Sequence, residues 1–404
     1  MSLFQRSSSD ALVAAFDIGS ASIGGSLIMV NPAKPPRIVY TVRHAVAVQR
    51  EMQQDRLFLI MGDALTAVAD DLRKNGARHL SFTRFGTSRP VAAYCTFTAP
   101  WPSVYARRVT YTHDEPFTVT PALLDTLAAQ ELAAITKEYG GEGGAGDLVE
   151  HRIADLKVNG YSVSRINGQQ GVAVEMIIYA SFIPRQIADF VRERIREAFS
   201  LRTRNVSIGS FMLSFFTVVR DIWHKEEDFL LVDITGEMTE VAVVKDGTLV
   251  ETVSFPIGKN VYIREVAKDG NITSHEASSL VSLYLTGATH DQLLSGIEQS
   301  MERADHEWYS LFKTVTARLT ESFFAPGRVF LSVSDPFSKR YVNLIEHSGS
   351  AEREIQPSIN GTYKVIVLHA SALRHTVEFP KETPHDPFLA VNALHMHIMR
   401  RDQK

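Results

Sequence analysis

The pattern of apolar and polar residues predicts two similar hairpins in this chain. An apolar run beginning at Ala14 ends at Asp17, a turn rich in glycine and serine follows, and a second apolar run begins after Ser22. The stretch Phe229–Val244 repeats this order 216 residues later (233 minus 17), with Asp233 in the place of Asp17. Such a pattern is typical of a strand, a tight turn and a returning strand.

The residue types in the two turns suit phosphate and metal binding. Glycine permits backbone conformations that a side chain forbids, and successive turn amides can hold phosphate oxygens while an aspartate holds a metal ion through water. Taken alone, a turn of this kind is more often a plain hairpin without a ligand. The candidate residues are Asp17, Gly19, Ser20 and Ser22 in the first turn and Asp233, Thr235, Gly236 and Glu237 in the second.

Apolar positions at helical spacing alternate with strand-like segments along the rest of the chain. Asn75–Gly76 is predicted to end the first helix with a left-handed cap, and residues 140–146 form a glycine-rich loop. The other predicted helices are Pro121 to about Tyr139, Pro184–Phe199, Phe211–Ile222, Ser274–Tyr284, about Ser295–Phe323, Tyr341–Glu346 and Asp386–Arg400.

Composition narrows the class of protein. With 404 residues the chain is long enough for two or more domains, and its net charge of −4 argues against a nucleic-acid binder. The one cysteine, Cys95, excludes an internal disulfide and favours a reducing cytoplasm. Met1–Asp10 is polar, without the apolar core of a signal peptide, and no run is long enough for a transmembrane segment.

The order of these elements resembles the actin-like ATPase superfamily, whose two phosphate loops face a shared nucleotide. A block of strands, one helix and more strands separates the hairpins, and it resembles the inserted SHS2 domain of FtsA and PilM. The segments that carry this likeness are Trp101–Val109, Pro116–Thr120 and Met176–Ala180. The resemblance implies an α/β, two-lobed, actin-like (ribonuclease H-like) ATPase fold with a small inserted α+β domain. The implied domains are 1–88 for the first lobe, 89–184 for the SHS2-like insertion, 185–228 for the return to the first lobe with a connecting helix, and 229–404 for the second lobe, whose last helix can return to the first.

The resemblance also implies ATP and Mg²⁺ as cofactors, with Asp17 and Asp233 at the metal. It adds Gly258 and Lys259 at a helix start, Glu276 beside the ribose, and Ser332 and Ser334 near the base.

Three features of the sequence depart from the family. The basic position near Glu276 is Ser279, glycines are missing around Ser332 and Ser334, and Thr235 and Glu237 replace glycines of the second turn. The sequence identifies no residue that orients a water molecule for hydrolysis.

The function that the resemblance implies is an ATP-binding, weakly or non-hydrolysing adaptor or filament subunit. It would lie on the cytoplasmic face of the bacterial inner membrane as a peripheral protein, in cell division or in type IV pilus or secretion assembly. FtsA types usually end in a flexible linker and an amphipathic membrane helix, whereas PilM types dock the tail of a membrane protein; self-association into filaments is a further expectation. Two alternatives stay open: a pseudo-ATPase scaffold without nucleotide, and a phosphotransferase of the sugar-kinase type.

Overall fold

The computed structural model describes residues 10–80, 89–140, 146–163, 168–288, 291–321, 326–348, 363–373, 375–380 and 383–401. The polar segment that precedes Asp10, most of the predicted loop at 140–146 and the predicted helix end at Phe323 lie outside these ranges. Within them, no helix is both long and apolar enough to cross a membrane.

A five-stranded sheet with the order β3-β2-β1-β4-β9 forms the first lobe. Its strands are β1 (Ala11–Ile18), β2 (Ser22–Asn31), β3 (Lys34–Ala45), β4 (Ala92–Phe97) and β9 (Val206–Ser210). Side chains alternate between its faces. Leu12, Ala14 and Phe16 pack towards α1 (Gln54–Asp71) and α4 (Arg185–Phe199), while Val13 and Ala15 pack towards α5 (Phe211–Ile222) and α11 (Pro387–Arg401).

The second lobe repeats this sheet, with the order β12-β11-β10-β13-β14. Its strands are β10 (Phe229–Ile234), β11 (Thr239–Lys245), β12 (Thr248–Phe255), β13 (Arg328–Val333) and β14 (Lys364–Val367). The helices of this part of the chain are α6 (Asn260–Gly270), α7 (Ser274–Leu285), α8 (Asp291–Leu319), α9 (Ser338–Ser348) and α10 (Ala370–Leu373). In both lobes an antiparallel hairpin is followed by parallel strands, so the two predicted hairpins are equivalent by topology.

Apolar side chains from both lobes meet in one core around α5 and α11. Phe211 of α5 and Ala390 of α11 lie in the same buried cluster as Phe229 and Leu231 of the second sheet. Burial of apolar surface is the main favourable term in folding, so this shared cluster stabilises the two sheets together.

A third sheet is inserted into the sequence of the first lobe, between β4 and β9, and has the order β5-β8-β6-β7. Its elements are β5 (Ser103–Thr118), α3 (Pro121–Tyr139), β6 (Asp147–Val158), β7 (Tyr161–Ser162) and β8 (Gln170–Ile183). We call it the inserted sheet. It contacts both lobes: Arg152 donates to the Thr217 hydroxyl over 2.8 Å, and the Leu249 amide donates to the Tyr179 hydroxyl over 2.7 Å.

The structure confirms most predicted helices and corrects some of their ends; the helix predicted over Tyr341–Glu346 spans Ser338–Ser348. Thr120 caps α3, accepting a hydrogen bond from the Leu123 amide, and Phe211–Ile222 is a helix as predicted. The predicted left-handed cap at Asn75–Gly76 is wrong, because the helix continues through a π-helical turn (Leu72–Gly76) into α2 (Ala77–Leu80). Gly76 is needed there for space: a Cβ atom would lie 2.6 Å from Leu27 Cδ1.

Candidate functional site at the contact between the lobes

The tips of the two hairpins meet directly. The Ser20 and Thr235 hydroxyl oxygens lie 3.1 Å apart, and the Glu237 amide donates to the Ser20 hydroxyl over 3.0 Å. A Cβ atom on Gly236 would lie 2.8 Å from the Ala21 Cβ, so only glycine permits this approach. The prediction that the two turns face one another is confirmed, and they do so in contact rather than across a gap.

The start of α6 is bonded to the second hairpin. The Lys259 amide donates to the Thr235 carbonyl and the Asn260 amide to the Gly236 carbonyl, both over 2.9 Å. Gly258 lies tightly against the same turn, since a Cβ atom there would be 2.5 Å from the Thr235 carbonyl oxygen. The amides that a helix start would offer to a phosphate therefore already have acceptors within the protein.

Glu237 is held by two side chains of α6. Its carboxylate accepts a hydrogen bond of 2.8 Å from the Asn260 amide group and forms an ion pair with Arg264. Arg264 also donates to the Gln49 carbonyl of the first lobe over 3.2 Å. Because Glu237 is only 6% exposed and its amide binds Ser20, this acidic residue joins three elements from both lobes.

Asp17 is paired with an arginine. Arg43 of β3 donates to the Asp17 carboxylate over 2.8 Å, to Asp386 over 2.6 Å and to the Ser22 hydroxyl over 2.9 Å. Burial raises the pKa of Asp17, and the Arg43 charge opposes this effect. Gly19 closes the first turn by donating to the Ser22 carbonyl.

Asp233 has a different environment. It lies opposite Glu240 in the hairpin and beside Ser332 in the parallel strand. Neither carboxylate oxygen of Asp233 has a hydrogen-bond partner among the described residues. Burial, followed by repulsion from Glu240, raises the pKa of Asp233 well above its usual value, and burial raises the pKa of Glu240 to about 8. Burial therefore favours the protonated form of both acids.

Lys259 and Ser334 bond to each other at the end of β13. The Lys259 ammonium donates to the Ser334 hydroxyl and lies 5.9 Å from the centre of the Phe337 ring. Burial, and then repulsion from Arg43, lower the pKa of Lys259 to about 8. Lys259, predicted at a helix start, and Ser334, predicted near the base, are thus brought together beside the hairpins.

Glu276 caps the helix to which it belongs, α7. Its carboxylate accepts from the Thr273 amide over 2.9 Å and from the Thr273 hydroxyl over 2.8 Å, which forms a capping box at the start of α7. A capping box satisfies backbone donors of the helix start. The structure therefore gives Glu276 a local structural role, whereas the other predicted residues lie in or beside the hairpin contact.

The sequence analysis missed the residues that complete this contact. They are Arg43, Gln49, Asn260, Arg264 and Asp386. Asn260 and Arg264 are four residues apart in α6, a spacing that places both on one helix face. Arg43 gave no signal, because a charged residue in an alternating strand is most simply a solvent-facing position.

The predicted magnesium nucleotide does not fit between the hairpin tips as they are arranged. The Ser20 hydroxyl and the amides of Glu237, Lys259 and Asn260 have protein partners, and Asp17 is bonded to Arg43. Asp233 is fully buried, and burial raises its pKa well above the usual value, which disfavours the charged form that a metal ion needs. Within the described ranges, no three acidic, histidine or cysteine side chains are placed to hold a metal ion.

Comparison with solved structures gives the fold. The chain matches a chain of the PilM-PilN type IV pilus biogenesis complex with a TM-score of 0.57 and 12% identity, over 98% of this chain and 99% of the other. The chain has the actin-like ATPase fold. The fold also matches the ethanolamine utilization protein EutJ from Carboxydothermus hydrogenoformans with a TM-score of 0.46 and 11% identity, over 97% and 90% of the two chains. No protein-family profile and no curated protein matches the sequence.

The predicted fold class is therefore confirmed, and the actin-like fold explains why two hairpins so distant in sequence meet. In this fold each lobe presents one hairpin to the other, as the two sheets of equal order show here. What differs from the sequence-based expectation is the chemistry at the meeting point, where side chains of the protein bond to one another.

Proposed function

We propose that this chain is an actin-like adaptor of the PilM or FtsA type that works without turning over ATP. Its place would be the cytoplasmic face of a bacterial inner membrane, as a peripheral protein that docks the tail of a membrane protein in pilus, secretion or division machinery. One observation carries the proposal. The turn groups that were expected to bind phosphate form hydrogen bonds with each other across the two lobes, as Ser20 does with Thr235 and with the Glu237 amide. The full-length match to a chain of the PilM-PilN complex supports the adaptor role.

In this proposal the inserted region, residues 89–184, makes the protein contacts. Residues 1–88, 185–228 and 229–404 form the two lobes that hold it in position. The hydrogen bonds from the inserted sheet to Thr217 and Leu249 support this division of roles. Through them, a partner bound to the sheet would be connected to both lobes.

A cavity between the inserted sheet and the second lobe suits the docking of an acidic segment. Its volume is about 430 Å³. The charged residues that line it are Arg107, Arg108, Lys157 and Lys245 on the basic side and Glu175 and Asp246 on the acidic side. Arg107 and Arg108 already pair with Glu138 and Glu175, so an acidic partner would exchange its own carboxylates for these exposed pairs, and complementary charge would increase both the rate and the specificity of its association.

The phosphotransferase alternative is disfavoured by the same contact. A sugar kinase needs a charged aspartate facing its substrate between the lobes. Here Asp17 is engaged by Arg43, and Asp233 is fully buried, which raises its pKa and disfavours its charged form.

The test is affinity purification of the tagged full chain from detergent-solubilised membranes of the source bacterium. We expect enrichment of one membrane protein with an acidic cytoplasmic tail. The Arg108→Glu variant should lose it, while Lys74→Glu, on the exposed surface of the first lobe, should retain it. Equal retention by both variants would contradict the docking site, and enrichment of no membrane protein would contradict the adaptor role.

Two further assays separate the alternatives. Incubation with Mg-ATP should release no ADP above the buffer control, with or without a panel of sugars; sugar-dependent ADP release would instead support the phosphotransferase. Ultracentrifugation should leave the chain in the supernatant. Sedimentation as filaments would favour the self-associating mode over the docked one.

A further inference from the structure

We propose that Arg43 and Glu237 take, as parts of the protein, the places of a metal ion and a phosphate group between the lobes. The closed arrangement of the two lobes is then built into the chain and needs no nucleotide. This inference goes beyond the adaptor role, because it would hold whichever partner the chain docks.

Arg43 supplies the positive charge that a metal would bring to Asp17. Its guanidinium binds Asp17, Asp386 and Ser22, and so ties the first hairpin to the residue that precedes α11. Gly24 makes this possible, since a Cβ atom there would lie 2.4 Å from the Arg43 Nη2 atom. A planar guanidinium is suited to binding two carboxylates at once.

Glu237 supplies the negative charge that a phosphate would bring. Its carboxylate accepts a hydrogen bond from the Asn260 amide group and pairs with the Arg264 guanidinium. An amide donor and a cation would bind a phosphate oxygen in the same way. The neighbouring hydroxyl of Ser20, from the other lobe, accepts from the Glu237 amide. An internal anion thus engages donors that would otherwise be available to a ligand.

The charges of this contact are also balanced. Arg43, Lys259 and Arg264 are basic, and Asp17, Glu237 and Asp386 are acidic. A magnesium nucleotide carries net negative charge, so adding it would leave an excess of negative charge in a poorly hydrated place. The nucleotide would first have to break the bonds of Glu237.

The distance between the lobes provides a direct test. Asp63 of α1 and Gln299 of α8 would each be replaced by a spin-labelled cysteine. Pulsed electron paramagnetic resonance would then measure the distance between the two labels, and so the separation of the lobes. The native Cys95 is fully buried, so it should not take up the label. Both label positions are exposed on helices of different lobes.

We expect one narrow distance distribution in EDTA, unchanged by millimolar Mg-ATP. Combining Glu237→Ala with Arg264→Ala should broaden it towards longer distances. The matched control, Glu251→Ala with Arg318→Ala, removes an exposed Glu–Arg pair within the second lobe and should leave the distribution unchanged. Should the alanine pair fail to fold by circular dichroism, Glu237→Gln, which keeps a bond to Asn260, should give a smaller broadening.

Two results would overturn the inference. One is a broad distribution in EDTA that narrows with Mg-ATP, because closure would then depend on nucleotide. The other is a folded Glu237 variant whose distribution equals that of the parent chain, because the internal anion would then not hold the lobes together. Neither result would bear on whether the chain docks a membrane protein.

Discussion

The two hairpins have the same topology, but their buried aspartates have different neighbours. In the first, Asp17 lies opposite Gly24, which lies opposite Arg43 in the next strand. In the second, Asp233 lies opposite Glu240, and Ser254 occupies the position that corresponds to Arg43. A glycine and an arginine in one lobe are thus replaced by an acid and a serine in the other.

The two hairpins offset the free-energy cost of burying a carboxylate in different ways. A carboxylate buried alone loses its hydration, so it must either find a cation or become neutral. Asp17 takes the first route, with Gly24 leaving the space through which Arg43 reaches it. Asp233 has no such cation, and burial raises its pKa well above the usual value, which favours the second route. The first hairpin thus pairs its acid with an arginine and the second does not, although both were predicted as equal metal-binding elements.

Arg43→Met should have the largest effect on stability. It leaves Asp17 and Asp386 without their shared cation, and breaking a buried ion pair costs about 3–5 kcal/mol. Urea unfolding at pH 7 would measure the free energy of unfolding. Arg318→Met, which removes an exposed ion pair, should cost less than about 1 kcal/mol. Equal losses in the two variants would show that Arg43 is not a structural cation.

Glu240 should make the stability depend on pH. Because burial raises its folded-state pKa to about 8, its contribution is fully present below the pKa of the unfolded chain and is lost as the pH rises through about 8. Between pH 5 and 9, the parent chain should lose on the order of 3 kcal/mol more than Glu240→Gln. Parallel stability curves for the two proteins would contradict this assignment.

Asp17→Asn and Asp233→Asn form a matched pair across the two lobes. The first should cost about 2 kcal/mol at pH 7, because it removes a charged partner of Arg43. The second removes no ion pair, and burial already favours the protonated form of Asp233, so it should cost less than about 1 kcal/mol. Thermal unfolding of both variants would measure the contrast, and a larger loss for Asp233→Asn would reverse the comparison.

Gly24→Ala should give the smallest effect. The new methyl group would meet the end of the Arg43 side chain, which can move, so we expect a loss of about 1 kcal/mol. Since the contact is with Arg43, the same change should cost nearly nothing in the Arg43→Met protein. Additive losses in the double variant would mean that Gly24 is needed for another reason.

The sequence was informative wherever the signal is local or repeated. The second Asp-containing turn identified the duplicated hairpin, and the period of apolar residues predicted α5 and α11 within one residue at each end. The helix end at Gly76 was wrong because glycine is also used for close packing, here against Leu27. Local signals cannot separate these two uses of glycine.

The chemistry of the contact could not be predicted because its partners are distant in sequence. Asp386 meets Arg43 from 343 residues away, and Ser20 meets the Glu237 amide from 217. Glu237 itself was noticed as a departure from the family, but its meaning depends on Asn260 and Arg264, which only the fold brings to it. The missing glycines near Ser332 and Ser334 were one of the sequence features that pointed away from a nucleotide.

The most direct test of the account is the melting temperature of the full chain during titration with Mg-ATP. A ligand that binds the folded state raises this temperature as its concentration rises. If the lobes are closed by Arg43, Glu237 and their partners, the melting temperature should be the same in EDTA and in millimolar Mg-ATP. A melting temperature that climbs with Mg-ATP and falls again on chelation would contradict the account.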